Sequence, residues 1–137
     1  MKYFTISELC KSSTADAFNI NNQPTPEIVD NLEILINECL DKIRETFGKP
    51  IYVNSGYRCK ELNDRVKGSK TSHHLYGKAA DITLKSKKLN KVLFNLIQDM
   101  IKSGTLKCTQ LIDEYNYQWI HISYDKDNLK CQILHLK

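Results

Sequence analysis

The chain has 137 residues, 41% of them hydrophobic and 26% charged, which suits one globular domain spanning residues 1–137 and argues against a fibrous or disordered chain. The formal charge of +4 is mild, and its local excess at Lys85, Lys87 and Lys88 reads as a solvated face rather than a nucleic-acid footprint. No stretch is long and apolar enough to cross a bilayer, so neither nucleic-acid binding nor membrane insertion is expected, and a monomer is.

At the N-terminus an acidic residue, Glu8, arrives before any apolar run. No signal peptide is read there, so a cytoplasmic location as synthesised is expected, and work outside the cell would need another exit such as lysis. Thr5-Ile6-Ser7-Glu8 has capping-box form and predicts a helix from Ile6 to about Lys11, interrupted by Ser12-Ser13-Thr14. Asn19 to Gln23 reads as loop. Thr25 caps the next helix, with Pro26 at its first position and Glu27 complementing the dipole. Ile28, Leu32, Leu35, Ile36, Cys39, Leu40, Ile43 and Phe47 recur at helical spacing, making this the main core helix, and Gly48 ends it.

Ile51-Tyr52-Val53 predicts a short strand, and Asn54 to Arg58 a turn. Lys60 to Val66 predicts a short helix stopped by Gly68, and Ser69 to Lys78 a loop. Ala79 to Leu84 reads as a strand with Asp81 and Thr83 on one face. Ser86 precedes an amphipathic helix whose expected buried side is Leu89, Val92, Leu93, Leu96, Ile97, Met100 and Ile101, closed by Gly104. Cys108–Tyr115, Gln118–Tyr124 and Leu129–Leu136 predict three antiparallel strands, with turns at Asn116-Tyr117 and Asp125 to Asn128. The fold class expected is α+β: a small, mainly antiparallel sheet with helices packed on one side.

Five cysteines, an odd count without a CxxC, give no support for a zinc ribbon or a redox pair. Cys39, Cys108 and Cys131 read as buried free thiols. Cys59, just after the Ser55-Gly56-Tyr57-Arg58 turn, is the one expected to approach a site.

The chemistry concentrates in two stretches. Ser72-His73-His74-Leu75-Tyr76-Gly77-Lys78-Ala79-Ala80-Asp81 joins an imidazole to a carboxylate through a glycine and two alanines. Trp119-Ile120-His121-Ile122-Ser123 adds a second imidazole. His74, Asp81 and His121 make two nitrogens and one oxygen, a donor set suited to a zinc ion that keeps one position open for water. Such an ion makes hydroxide available near neutral pH. Gly77 lets the chain reverse between ligands, and Ala79 and Ala80 keep bulk away from the ion. Neighbours in an extended segment diverge, so His73 is not expected to share the ion, and both His73 and His135 read as ordinary histidines, satisfied or exposed.

Strand alternation places His121. Folding the hairpin about Asn116-Tyr117 pairs Tyr115 with Gln118, Glu114 with Trp119 and Ile112 with His121. Glu114 then shares the His121 face as a diagonal neighbour ~7 Å away, where a carboxylate serves as general base. A turn one residue longer or shorter reverses this. Arg58 carries a planar guanidinium suited to a substrate carboxylate, against the alternative of pairing to Glu61 or Asp64.

Ser72-x-His74-x-x-Gly77-x-Ala79-x-Asp81 resembles the signature of the M15 zinc peptidases, a family of D-Ala-D-Ala carboxypeptidases and dipeptidases and of phage L-alanyl-D-glutamate endolysins. Asn54 to Arg58, Gln110 to Glu114, Trp119 to Ser123, Tyr3 to Leu9 and Pro50 to Val53 resemble further segments of its short M15A-type members. The resemblance implies zinc on His74, Asp81 and His121, peptidoglycan stem peptides as partners, and the fold of the D-Ala-D-Ala metallopeptidases, shared with the hedgehog signalling domain. It further implies that Arg58 holds a substrate carboxylate or carbonyl, with Tyr57 and Ser72 supporting or touching substrate. Many members place the catalytic acid three residues before the last ligand. Gln118 stands there, and Glu114 fits the Q-L-I-x-E form of the short subgroup instead. Three readings stand: a murein peptidase, a zinc-bearing binding or structural module of the same fold, and a lysis or defence peptidase of a phage or other mobile element. Which bond is cut is left open.

Overall fold

A computed structural model describes all residues from 1 to 137. Its centre is a five-stranded sheet in the order β1-β2-β4-β3-β5. The strands are β1 (Tyr52–Ser55), β2 (Ala79–Thr83), β3 (Gln110–Glu114), β4 (Trp119–Ser123) and β5 (Gln132–Leu136). The helices are α1 (Ile6–Cys10), α2 (Ser13–Ala17), α3 (Pro26–Leu35), α4 (Asp41–Phe47), α5 (Lys60–Arg65) and α6 (Lys87–Lys102). The protein is α+β with a mostly antiparallel sheet, as expected.

The capping chemistry works as read. Thr5, Thr25 and Ser86 each accept a backbone N–H of their helix's first turn. Ser12 caps as well, so Ser12-Ser13-Thr14 begins a second short helix rather than only interrupting the first. α3 and α4 form one continuous rod through a π turn at Ile36–Leu40, where Asp41 N–H reaches back to Ile36. This rod buries Leu32, Leu35, Ile36, Cys39, Leu40 and Ile43. It packs with α6 in a core cluster that includes Ala80, Ile82, Leu111, Ile120 and Ile122 of the sheet.

Three expectations need correction. Leu89 and Val92 of α6 are exposed, because only Leu93, Phe94, Ile97 and Met100 of that helix face the core directly. Cys131 is only half-buried, just before the edge strand. The last strand pairs with β3, in parallel, and not antiparallel in a hairpin with β4. The reason is topological: β2 and β3 occupy both edges of β4. A strand entering where β4 ends begins where β3 begins, and so runs beside β3 in the same direction.

Candidate metal centre and cleft

Asp81 and His121 are direct partners across the β2–β4 ladder, so their side chains leave the same face of the sheet, opposite the core. His74 comes from a separate element, a single 3-10 turn at His73–Tyr76. Ser72 Oγ caps this turn by accepting the His74 N–H at 3.1 Å. Gly77 closes it in the left-handed region at φ 70°, against Ile28 of α3. The backbone of Arg58 donates to the His74 carbonyl at 3.0 Å, joining the turn to the loop after β1.

The three ligand atoms lie within 4.8 Å of one another. His74 Nε2 is 3.3 Å and His121 Nδ1 is 3.0 Å from the same oxygen, Asp81 Oδ1. His74 is 2% exposed and Asp81 8%. The other ring nitrogen of His74, Nδ1, meets the Gly56 carbonyl at 2.7 Å. A carbonyl only accepts, so Nδ1 carries the proton and the neutral ring presents a lone pair at Nε2. That Nε2 is buried with no hydrogen-bond partner. His74 Nε2 therefore aims a lone pair at the carboxylate oxygen across 3.3 Å with no proton between them, while His121 Nδ1 meets the same oxygen at hydrogen-bond distance. A cation at their common centre is what this donor set fits. Burial pushes the Asp81 carboxyl up, but the His121 ring that hydrogen-bonds it, with the His74 ring beside it, outweighs that and holds the group far below the usual carboxylate range.

Gly56 is placed by space rather than by backbone angle. A Cβ on it would fall 2.2 Å from the Leu9 carbonyl oxygen, so the close approach of α1 requires glycine. The same residue then supplies the carbonyl that orients His74.

The hairpin register agrees with expectation: Glu114 opposes Trp119 and Ile112 opposes His121. Glu114 therefore shares the face of His121. The turn differs in detail, with Tyr115, Asn116 and Tyr117 all at positive φ and Gln118 outside the ladder. Trp119 Nε1 donates to Glu114 Oε2 at 2.9 Å, a partnership not anticipated from sequence. It follows from their being direct cross-strand neighbours. Gln118 is exposed in the turn.

Arg58 forms no ion pair with Glu61 or Asp64; Asp64 pairs with Lys60 at 3.1 Å instead. Burial lowers the Arg58 pKa, while the carboxylates of Asp81 and Glu114 oppose that shift, so its charge lies within electrostatic reach of both. Arg58, Tyr57 and Asp81 line a cleft of about 220 Å³ whose other wall is Ser12, Ser13 and Thr14. Tyr57 is 8% exposed and belongs largely to the core. The α2 wall was missed by sequence reasoning, since only tertiary structure brings it to Arg58. Larger grooves, of about 780, 620 and 370 Å³, include none of the three residues His74, Asp81 and His121.

Cys59 does not approach the site. It caps α5, with Sγ accepting the Leu62 N–H at 3.5 Å, and packs against Ala15, Ile20 and Leu62. His73 stands outside the ligand group, as expected; burial and then the charge of His121 lower its pKa. His135 is paired with Asp113 across the β3–β5 ladder.

A family model described as Peptidase M15 matches residues 2–123. No curated protein matches the chain.

Proposed function

The chain belongs to the peptidase M15 family, and from that membership we propose that it is a zinc-dependent peptidase acting on the stem peptides of peptidoglycan, as a D-Ala-D-Ala carboxypeptidase or an L-Ala-D-Glu endopeptidase. The observation that carries this reading is the buried, unpartnered His74 Nε2 facing Asp81 and His121. Nε2 of His74, Oδ1 of Asp81 and Nδ1 of His121 would hold the ion. Bound there, zinc would supply a Lewis acid able to polarise a peptide carbonyl and to lower the pKa of water to ~7.

Glu114 is assigned the general base. It takes a proton from the water that adds to the scissile carbonyl, and returns it to the amine nitrogen as the C–N bond breaks. Such transfer contributes roughly 10²- to 10⁴-fold in rate. Trp119 holds one carboxylate oxygen by its indole N–H and so limits the rotation of the group. Arg58 presents its planar fork to a substrate carboxylate or carbonyl, in a cleft whose partial burial strengthens the pairing. Ser72 supports the turn that carries His74.

Mass analysis of muropeptides digested with and without a chelator tests the proposal. Cleavage of a stem-peptide bond that stops on chelation and returns with zinc is the expected result. Cleavage indifferent to the chelator would overturn the metal's role. A second reading, a zinc-bearing recognition module, draws on Gln118 occupying the position three residues before His121. A full zinc equivalent with no turnover would favour it.

A further inference from the structure

Two buried polar atoms lack hydrogen-bond partners: Nε of Arg58, which lines the cleft, and Oδ1 of Asn63 in α5. The Arg58 guanidinium and the Asn63 carboxamide also share a neighbourhood. A Cβ built on Gly68 would lie 2.1 Å from Asn63 Oδ1 and 2.9 Å from Arg58 Nη1. The two groups therefore converge on the space of one missing methyl. Gly68 is not in the left-handed region, so its glycine serves space.

The orientation of the Asn63 amide is determined by its surroundings. Nδ2 donates to the Ser69 carbonyl at 2.9 Å, and a flipped amide would set two acceptors face to face. The backbone of Asn63 is occupied on both sides, its N–H by the Cys59 carbonyl at 2.9 Å and its C=O by the Gly68 N–H at 2.8 Å. Asn63 is 1% exposed, so only Oδ1 is left to act, and it is buried. A buried acceptor left unmade destabilises the fold, and it persists where a partner is offered nearby.

We propose that Asn63 is the positioning residue of Arg58: its carboxamide oxygen lies beside the guanidinium at the gap left by Gly68 and holds the fork at the cleft that Asp81 also lines. A small side-chain turn or one bridging water completes the contact. An arginine fixed in advance loses less rotamer freedom when substrate binds. This rests on the peptidase reading, in which Arg58 holds the substrate.

The test compares Asn63→Ala and Asn63→Asp in the wild-type and Arg58→Ala backgrounds. Both variants lose the amide donor to Ser69, but Asn63→Asp keeps an acceptor facing Arg58. Asn63→Ala is expected to raise KM for a stem peptide ~10-fold with kcat nearly unchanged, as lost uniform binding does. Asn63→Asp should restore most of the KM, and in the Arg58→Ala background Asn63→Ala should add nothing. Independently of turnover, the Arg58 side-chain protons in nuclear magnetic resonance spectra should be resolved and slow to exchange in wild type and Asn63→Asp, and fast in Asn63→Ala. An equal KM increase in the Arg58→Ala background, or Arg58 signals indifferent to Asn63→Ala, would overturn the proposal. Unchanged KM in Arg58→Ala alone would instead remove Arg58 from substrate binding, and the spectra would still decide whether Asn63 holds it.

Discussion

One carbonyl decides the chemistry of His74. By accepting from Nδ1, Gly56 leaves Nε2 as the only ligand atom, 3.3 Å from the carboxylate that His121 also meets. On the proposed metal site, His74→Ala or His121→Ala is expected to lose both bound zinc and peptidase activity. Metal analysis of the purified variants checks this, and a full zinc equivalent in either variant would refute the ligand set. Glu114→Gln separates base from scaffold. A glutamine there still accepts from the Trp119 indole, so fold and zinc content should be unchanged. On the base role proposed for Glu114, kcat should fall by roughly 10²- to 10⁴-fold. A variant of undiminished kcat would take the base role away from Glu114.

Among the elements, α6 shows what sequence periodicity conveys and what it misses. Its helical spacing, cap and stop are all visible in the chain, yet Leu89 and Val92 satisfy the same spacing and are exposed. The buried stripe of the helix runs through Asn90, Leu93, Phe94, Ile97 and Met100, and Leu89 and Val92 fall to one side of it. Leu93→Ala should cost about 2–5 kcal/mol, while Leu89→Ser should stay within about 0.5 kcal/mol, as urea unfolding will measure. Asn90 was passed over as a polar helix residue, yet it is fully buried. Its side chain accepts the Leu84 N–H at 2.7 Å and donates to the Tyr117 and Gln118 carbonyls at 2.9 and 3.1 Å. It ties α6 to the end of β2 and to the β3–β4 turn. Asn90→Ala strands these groups and should cost about 3 kcal/mol, judged from the penalty for unmade buried bonds. The parallel β5 escaped detection for a related reason: alternation reveals a strand, but its neighbour depends on which sheet edges are already filled.

At the scale of the molecule, the ligand group was legible because its chemistry is packed into two short segments of unusual composition. The cleft was not, since Ser12 to Thr14 and Asn63 reach Arg58 only through the tertiary fold. The thiols give the whole fold a pH dependence. Cys39 and Cys108 are fully buried. Burial pushes both thiols well above their usual range, with neighbouring cysteines adding to the shift. In the unfolded chain a thiol ionises near ~8.5. Above that pH the unfolded state has released protons that the folded state retains, so the unfolded state binds fewer and stability falls as pH rises. Below it, these groups leave stability flat. The urea midpoint should therefore drop between about pH 8 and 9.5, below the ordinary tyrosine range. Replacing both residues, Cys39→Ala with Cys108→Ala, should lower stability at neutral pH through lost packing, yet flatten that fall. A midpoint falling equally steeply in the double variant would assign the alkaline sensitivity to other groups.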